Sequence, residues 1–264
     1  RNYTGRASGD CCCGSIQCSA NQRQSSLTTQ PLPAAPAAGF CWETAGGCSV
    51  SADNFPRVLE AGDCALMVWF GDSLDPAINN AAQAFDASLR QANWPEVEEI
   101  TPGIRGLLLR YNPMEVSPDD MRQRIMNRLS EQDWLRVEPF AGRRLWRLPV
   151  HYGDSSGPDI ENVAKLLQCD IESLIREHSA TRHKVLMLGF APGCAYLGPR
   201  PEHWDLPRLE HVKPEVPPGS LSVAVRQTVL FATPIPTGWQ TIGRTPFLSF
   251  SRHKAPYFHL APGD

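Results

Sequence analysis

The chain has 264 residues, 42% of them hydrophobic, enough for one large or two modest domains with proper cores. Its formal net charge of −3 excludes the basic footprint that nucleic-acid binding requires and points to small-molecule or protein partners. No run approaches the roughly 18 apolar residues of a bilayer span, and the N-terminal region lacks the apolar stretch of a secretion signal. The expected location is therefore the cytoplasm, with no membrane partner.

Residues 1–54 are poor in aliphatics and rich in Ser, Gln, Gly, Ala, Pro and Cys, with a Pro/Ala run at 31–38 that reads as a linker. They are expected to be a disordered or spurious extension. Because the chain begins with Arg1, the expectation is a fragment, a processed chain, or upstream sequence translated onto a true start near Asn54. Six of the nine cysteines (Cys11, Cys12, Cys13, Cys18, Cys41 and Cys48) lie in this stretch, and no second ligand cluster at zinc spacing follows them, so no metal site is assigned. The other three, Cys64, Cys169 and Cys194, are scattered as in a reduced cytosolic protein and read as small buried hydrophobes.

From Phe55 the texture becomes that of a folded domain. Leu59 to Phe70 and Val97 to Tyr111 are β-prone stretches broken at Gly62-Asp63 and at Pro102-Gly103, so each predicts two short strands. Between them a helix is signalled by Asp75 as N-cap, Pro76 in the first turn, and Ile78, Ala81, Ala82, Phe85 and Leu89 along one face. A second helix starts at Ser117-Pro118-Asp119-Asp120, where the acids suit the positive helix end. A strand over Leu145 to Tyr152 is expected to close this unit, giving an α+β domain over residues 55–142 and its junction.

Two short helices are predicted next, over Pro158 to Leu167 and Ile171 to His178, followed by an all-β texture. Val185–Gly189, Leu221–Ala232, Trp239–Ile242 and Phe247–Phe250 are the strand candidates, separated by Pro/Gly turns, and suggest a closed or nearly closed barrel over residues 143–264.

Three segments are dense in residues with special backbone or recognition roles. Gly189-Phe190-Ala191-Pro192-Gly193-Cys194-Ala195-Tyr196-Leu197-Gly198 follows a strand and lets backbone approach a ligand, or else forms a tight barrel corner. Pro217-Pro218-Gly219-Ser220-Leu221 is the second. In the third, from Thr237 to Pro246, Arg244 offers a planar fork for carboxylate or phosphate and Trp239 a flat face, unless they are a surface Arg and a core Trp.

Taken in order, these segments resemble the family of 5-oxoprolinase B subunits, also called allophanate hydrolase subunit 1 or sporulation-kinase inhibitor proteins, which carries carboxyltransferase subdomains C and D. The matching positions are Gly189, Phe190, Pro192, Gly193, Ala195, Tyr196, Leu197 and Gly198, then Gly219, Ser220 and Gln227, then Gly238, Trp239, Gly243, Arg244, Thr245 and Pro246. Tyr152-Gly153, Gly157-Pro158-Asp159 and His178-Ser179 are also similar, and the resemblance covers about residues 56–264. It implies a small α+β domain followed by a cyclophilin-like β-barrel. It further implies an ATP-dependent hydrolase, with Mg2+, that opens 5-oxoproline to glutamate only as a heteromeric complex. The implied partners are the related C subunit, which is allophanate hydrolase subunit 2-like, and the A subunit. A non-catalytic inhibitor of a sensor histidine kinase, or part of a biotin-dependent urea carboxylase or allophanate-type carboxyltransferase, are the alternative readings.

The departures from the family pattern are Cys194 in place of Phe, which argues against a thiol nucleophile, and Thr237 in place of a glycine. Relatives also continue past Pro262-Gly263-Asp264 into one more strand, so truncation at that end is expected.

The Gly153-Asp154-Ser155-Ser156-Gly157 run fits a nucleophile elbow, but an all-β continuation does not suit an α/β hydrolase, so Ser155 is set aside. The same loop opens a helix and is either an anion contact or a plain cap; there is no Walker-type run, so ATP contact would need a partner protein. His178, at a helix end, is a structural residue or a general acid or base. With the resemblance counted, His178, Tyr196 and Arg244 are the expected catalytic residues. Phe190, Pro192, Gly193, Arg208, Gln227, Gly238, Trp239 and Thr245 are the expected substrate or nucleotide contacts, and no metal ligands are expected.

Overall fold

The computed structural model describes residues 55–139 and 143–264; the expectation for residues 1–54 lies outside them. In the first layer, β1 (Arg57–Glu60), β2 (Ala65–Trp69), β3 (Val97–Pro102) and β4 (Gly106–Tyr111) form an antiparallel sheet in the order β1-β2-β4-β3. The register sets Leu66 opposite Leu109 and Val68 opposite Leu107, so alternate residues build one buried face. Gly106 permits this pairing, because a Cβ there would stand 2.1 Å from the Val68 carbonyl oxygen.

Helix α1 (Pro76–Ala92) covers that face with Ala81, Ala82, Phe85 and Leu89. It starts where the Asp75 side chain accepts a hydrogen bond from the Ala77 amide and stops at Asn93, which is left-handed at φ 48° and donates its amide to the Leu89 carbonyl. Helix α2 (Pro118–Leu129) adds Met121, Ile125 and Leu129, and its Ser117 hydroxyl accepts from the Asp120 amide.

The expected strand over Leu145 to Tyr152 does not close this layer. Only β5 (His151–Tyr152) is a strand there, and it pairs with the second sheet; residues 145–150 pair with no strand among the described residues. After it come α3 (Ile160–Leu166), α4 (Ile171–Ala180), β6 (Lys184–Leu188) and β7 (Ala195–Gly198). The chain continues through β8 (Lys213–Val216), β9 (Ser220–Ala224), β10 (Gln227–Leu230), β11 (Ile235–Thr237) and β12 (Gln240–Arg244). The second sheet is antiparallel in the order β5-β12-β9-β10-β7-β6, and β8 and β11 form a separate two-stranded ribbon. The fold is thus mixed helix and antiparallel sheet, and the described strands do not close into a barrel.

The candidate strand Leu221–Ala232 is a hairpin instead, turning at Val225 and Arg226, both at positive φ. β7 lies inside the glycine-rich segment, and Phe247–Phe250 contributes only a single bridge from Phe250 to Phe258. Helices α3 and α4 pack with Val223 and Ile242 on one face of the sheet; Trp239, Val229 and the ribbon's Val216 cluster on the other. The two layers meet where the amides of Asn79 and Gln83 on α1 donate to the Leu186 carbonyl of β6 at 3.1 and 3.0 Å.

Candidate functional site

The last turn of α4 carries His178, whose ring is only 3% exposed. Its Nδ1 lies 2.8 Å from the Tyr152 hydroxyl of β5, and its Nε2 lies 3.1 Å from the Thr228 hydroxyl of β10. In either tautomer both nitrogens are used. His183 Nε2 faces the His178 carbonyl oxygen at 3.1 Å, and the Arg200 guanidinium stacks on Trp204 at 3.5 Å. Trp204 Nε1 donates to Glu177 Oε1 at 2.6 Å, which stands 3.9 Å from Arg200 Nη2. Arg200 is buried, and its Nε and Nη2 have no hydrogen-bond acceptor, nor does His183 Nδ1 have a partner.

Burial dominates the electrostatics here. It holds His178 well below the ordinary imidazole value, with His183 and Arg200 adding to the effect, and it brings His183 down to about 4, with Arg200 assisting. It also pushes the Tyr152 phenol up to about 12 and lowers Arg200 to about 10. At neutral pH the two imidazoles are therefore uncharged and the guanidinium is charged. His178 lines a cleft of about 520 Å3, and both of its ring nitrogens meet hydroxyls of the sheet.

Tyr196 and Trp239 lie on the opposite face of the same sheet. Tyr196 stands across from Val229, the neighbour of the Thr228 that bonds His178, and strand alternation sends the two side chains apart. The Tyr196 and Trp239 rings meet edge to face at 5.9 Å, and Arg208 lies over Trp239 at 6.0 Å. Arg208 is exposed and has no ion pair among the described residues. Gln227 has a buried Oε1 with no hydrogen-bond partner, and the Gly238 carbonyl accepts from the Leu209 amide at 2.6 Å, tying the Arg208 segment to the Trp239 turn. Arg244 is exposed at the far end of β12, five residues and roughly 16 Å from Trp239 by strand rise, where its Nε donates to the Pro218 carbonyl.

The loop from Gly189 to Cys194 is a tight connection between β6 and β7. Gly193 has φ +73° and its ideal Cβ would be 2.3 Å from Phe250 Cβ, while its carbonyl accepts from the Ser249 hydroxyl. Phe190 and Pro192 project at the surface of this loop. Thr245 is buried, and its hydroxyl accepts from the Phe247 amide as a turn residue does. Cys194 is buried with its thiol pushed up by that burial, which agrees with setting it aside as a nucleophile.

Thus the structure brings Tyr196, Trp239, Arg208 and Gly238 together, and separates His178 on one face and Arg244 at one end. Thr228, His183, Arg200 and Glu177 were not legible as a group. Their only local signal is His178 and His183 flanking the end of α4, and the arginine that completes the cluster arrives from a turn after β7.

A model of the family described as carboxyltransferase domain, subdomain C and D, matches residues 56–260. The 5-oxoprolinase B subunit of Bacillus subtilis (strain 168) is 32% identical over 218 residues, covering 79% of this chain and 90% of its own length. The protein of the same name from Escherichia coli O157:H7 is 31% identical over 211 residues, covering 79% and 93%. The solved structure of TTHA0988 superposes with a TM-score of 0.64 at 27% identity over 76% of this chain, which spans only 38% of that longer protein.

Proposed function

The chain belongs to the carboxyltransferase-domain family, subdomains C and D, and from that premise we propose that it is the B subunit of a 5-oxoprolinase. In this reading it works in a cytoplasmic complex with the related C subunit, joined by the A subunit, which together open 5-oxoproline to glutamate in an ATP-dependent hydrolysis. The observation that carries the reading is the 32% identity to a protein of that name over nine-tenths of the relative's length. The region from residue 143 onward then corresponds to the family's cyclophilin-like unit, of which the described strands form an open sheet and a ribbon, following an α+β unit over residues 55–142.

ATP with Mg2+ is the co-substrate of such a reaction. Among the described residues no three His, Cys, Asp or Glu side chains gather as metal ligands, and no Walker-type run is present in the sequence. In this reading the nucleotide chemistry falls to a partner protein.

What this chain supplies, in the proposal, is a binding surface around Tyr196, Trp239, Arg208 and Gln227, with Phe190, Pro192 and the Gly193 loop at the β6–β7 turn. Arg208 and Arg244 offer forks for a carboxylate, and His178 is a positioning residue held by Tyr152 and Thr228. The test is glutamate formation from 5-oxoproline by this chain mixed with its A and C partners, omitting each component in turn. Activity must vanish when this chain is left out; activity indifferent to it overturns the proposal. Arg208→Ala and Arg244→Ala are each expected to lower kcat/KM about 10- to 100-fold if they hold a substrate carboxylate.

A further inference from the structure

Arg208 touches the Trp239 ring at 6.0 Å, the outer limit of a cation–π contact, and that contact alone does not fix a long exposed side chain. The backbone on either side of it does. The Leu209 amide donates to the Gly238 carbonyl at 2.6 Å, and the Pro207 carbonyl accepts from Gln240 Nε2 at 3.0 Å. The two residues that flank Arg208 are thus each tied to one of the two residues that flank Trp239.

Gln240 makes its bond from the other face of the sheet. It stands opposite Val223, which packs with α3 and α4, so strand alternation sends Gln240 to the helix side and leaves Trp239 on the far side. The segment between Leu206, in the helix-side cluster, and Arg208, over Trp239, changes faces where Gln240 holds it. Gln240 is 1% exposed, and both ends of its amide are used. A carbonyl can only accept, so the NH2 group faces Pro207 and the oxygen faces Asn162, whose Nδ2 donates to it. The start of β12 is pinned as well: the Thr241 amide donates to Asp159 Oδ2 at 2.6 Å, and Lys213 Nζ pairs with the same oxygen.

Pro207 lies at the surface, where water competes for its carbonyl, so the bond from Gln240 contributes little net stability. What it fixes is the place of the peptide that precedes Arg208. The guanidinium then stands in the field of the Tyr196 phenol: burial pushes that phenol up, Cys194 adds to the effect, and the Arg208 charge opposes it. A planar fork of donors, a hydroxyl and a flat indole wall together suit a carboxylate carried on a small flat ring.

We propose that Gln240, oriented by Asn162, is a positioning residue that sets Arg208 to receive the carboxylate of the substrate, and so gives the site its preference for carboxylate-bearing lactams. This rests on the reading of the chain as a 5-oxoprolinase subunit. Arg208 touches the substrate, and Gln240 acts through it.

In the reconstituted assay Gln240→Leu is expected to raise the KM for 5-oxoproline about 5- to 30-fold while kcat stays within about twofold, because a carboxylate contact away from the lactam bond holds ground and transition states alike. In an Arg208→Ala background the same substitution should add nothing, which a merely structural role would not produce. Asn162→Ala, at an exposed position, keeps the test open if the leucine variant does not fold; it should raise KM about 2- to 5-fold with the circular dichroism spectrum unchanged. Hydrogen exchange of the Leu209 amide, which needs no turnover, should quicken in both variants. A KM equal to the parent's, effects of Gln240→Leu and Arg208→Ala that multiply, or unaltered Leu209 exchange would each overturn the assignment while leaving the assay dependent on this chain. Glutamate formed without the chain would overturn the underlying reading, and the assignment with it.

Discussion

Helices α1 and α4 both lay an amphipathic face on an antiparallel sheet, but what they bury differs in kind. α1 puts Phe85 between Phe70 and Trp134, with ring centroids 5.6 and 4.9 Å away, in a core of aliphatic and aromatic side chains. α4 puts His178 into a socket of Tyr152, Thr228 and His183, beside a buried guanidinium. The first arrangement draws its stability from area removed from water and is indifferent to protons. The second is held by directed hydrogen bonds among groups whose protonation states burial has fixed, so its stability is linked to pH.

The largest expected effect lies in the apolar layer. Phe85→Ala removes the ring at the centre of that cluster and is expected to cost about 3–5 kcal/mol by urea denaturation. The loss should be the same at pH 7.5 and pH 5.5. A loss that grows on acidification would show that the two layers do not differ as described.

The second prediction concerns the polar socket. Both imidazoles have folded values below the ordinary 6.5, so the unfolded chain binds protons that the folded chain does not. Stability is therefore complete above about pH 6.5 and falls as pH drops from there toward about 4, where His183 titrates in the fold. The slope is about 1.4 kcal/mol per pH unit for each histidine. Arg200→Met removes a positive charge that depresses both rings, leaving Glu177 its bonds to Trp204 and His203. The loss should level off at a higher pH than in the parent chain, while stability at pH 7.5 falls by no more than about 1 kcal/mol, because the guanidinium has two unpartnered nitrogens to lose. An unchanged lower end of the acid transition would refute the assignment of Arg200 as a cause.

The contrast also explains what was legible in the sequence. In the first layer each element carries its own punctuation: Asp75-Pro76 and Ser117-Pro118 start the helices, and Gly62 and Gly103 mark the turns, so the expected strands and helices up to Leu129 match those observed. In the second sheet the decisive features are set by distant partners. The Val225-Arg226 turn has none of the usual hairpin residues, and its positive φ values are held by the Val225 amide on the Leu206 carbonyl and the Arg226 amide on the Trp204 carbonyl. Segment 145–150 has the pattern of a strand but pairs with no strand among the described residues. Of the residues that the motifs single out, Tyr196 and Trp239 lie against one another while His178 and Tyr196 stand on opposite faces of the sheet, which one-dimensional order does not show.

The smallest effect tests whether His178 is a strut. Tyr152→Phe keeps the ring and its edge contact with His178, 5.7 Å between centroids, and deletes only the hydroxyl 2.8 Å from Nδ1. Loss of that bond, with one buried imidazole nitrogen left bare, is expected to cost about 1–2 kcal/mol in denaturation at pH 7.5. In the reconstituted assay the variant should lower kcat/KM less than Arg208→Ala does, since a strut that keeps its packing still holds the sheet on whose other face Tyr196 sits. A large fall in kcat with stability unchanged would instead make the Tyr152–His178 pair part of the proton chemistry, and would move the candidate site from the Trp239 face into the cleft.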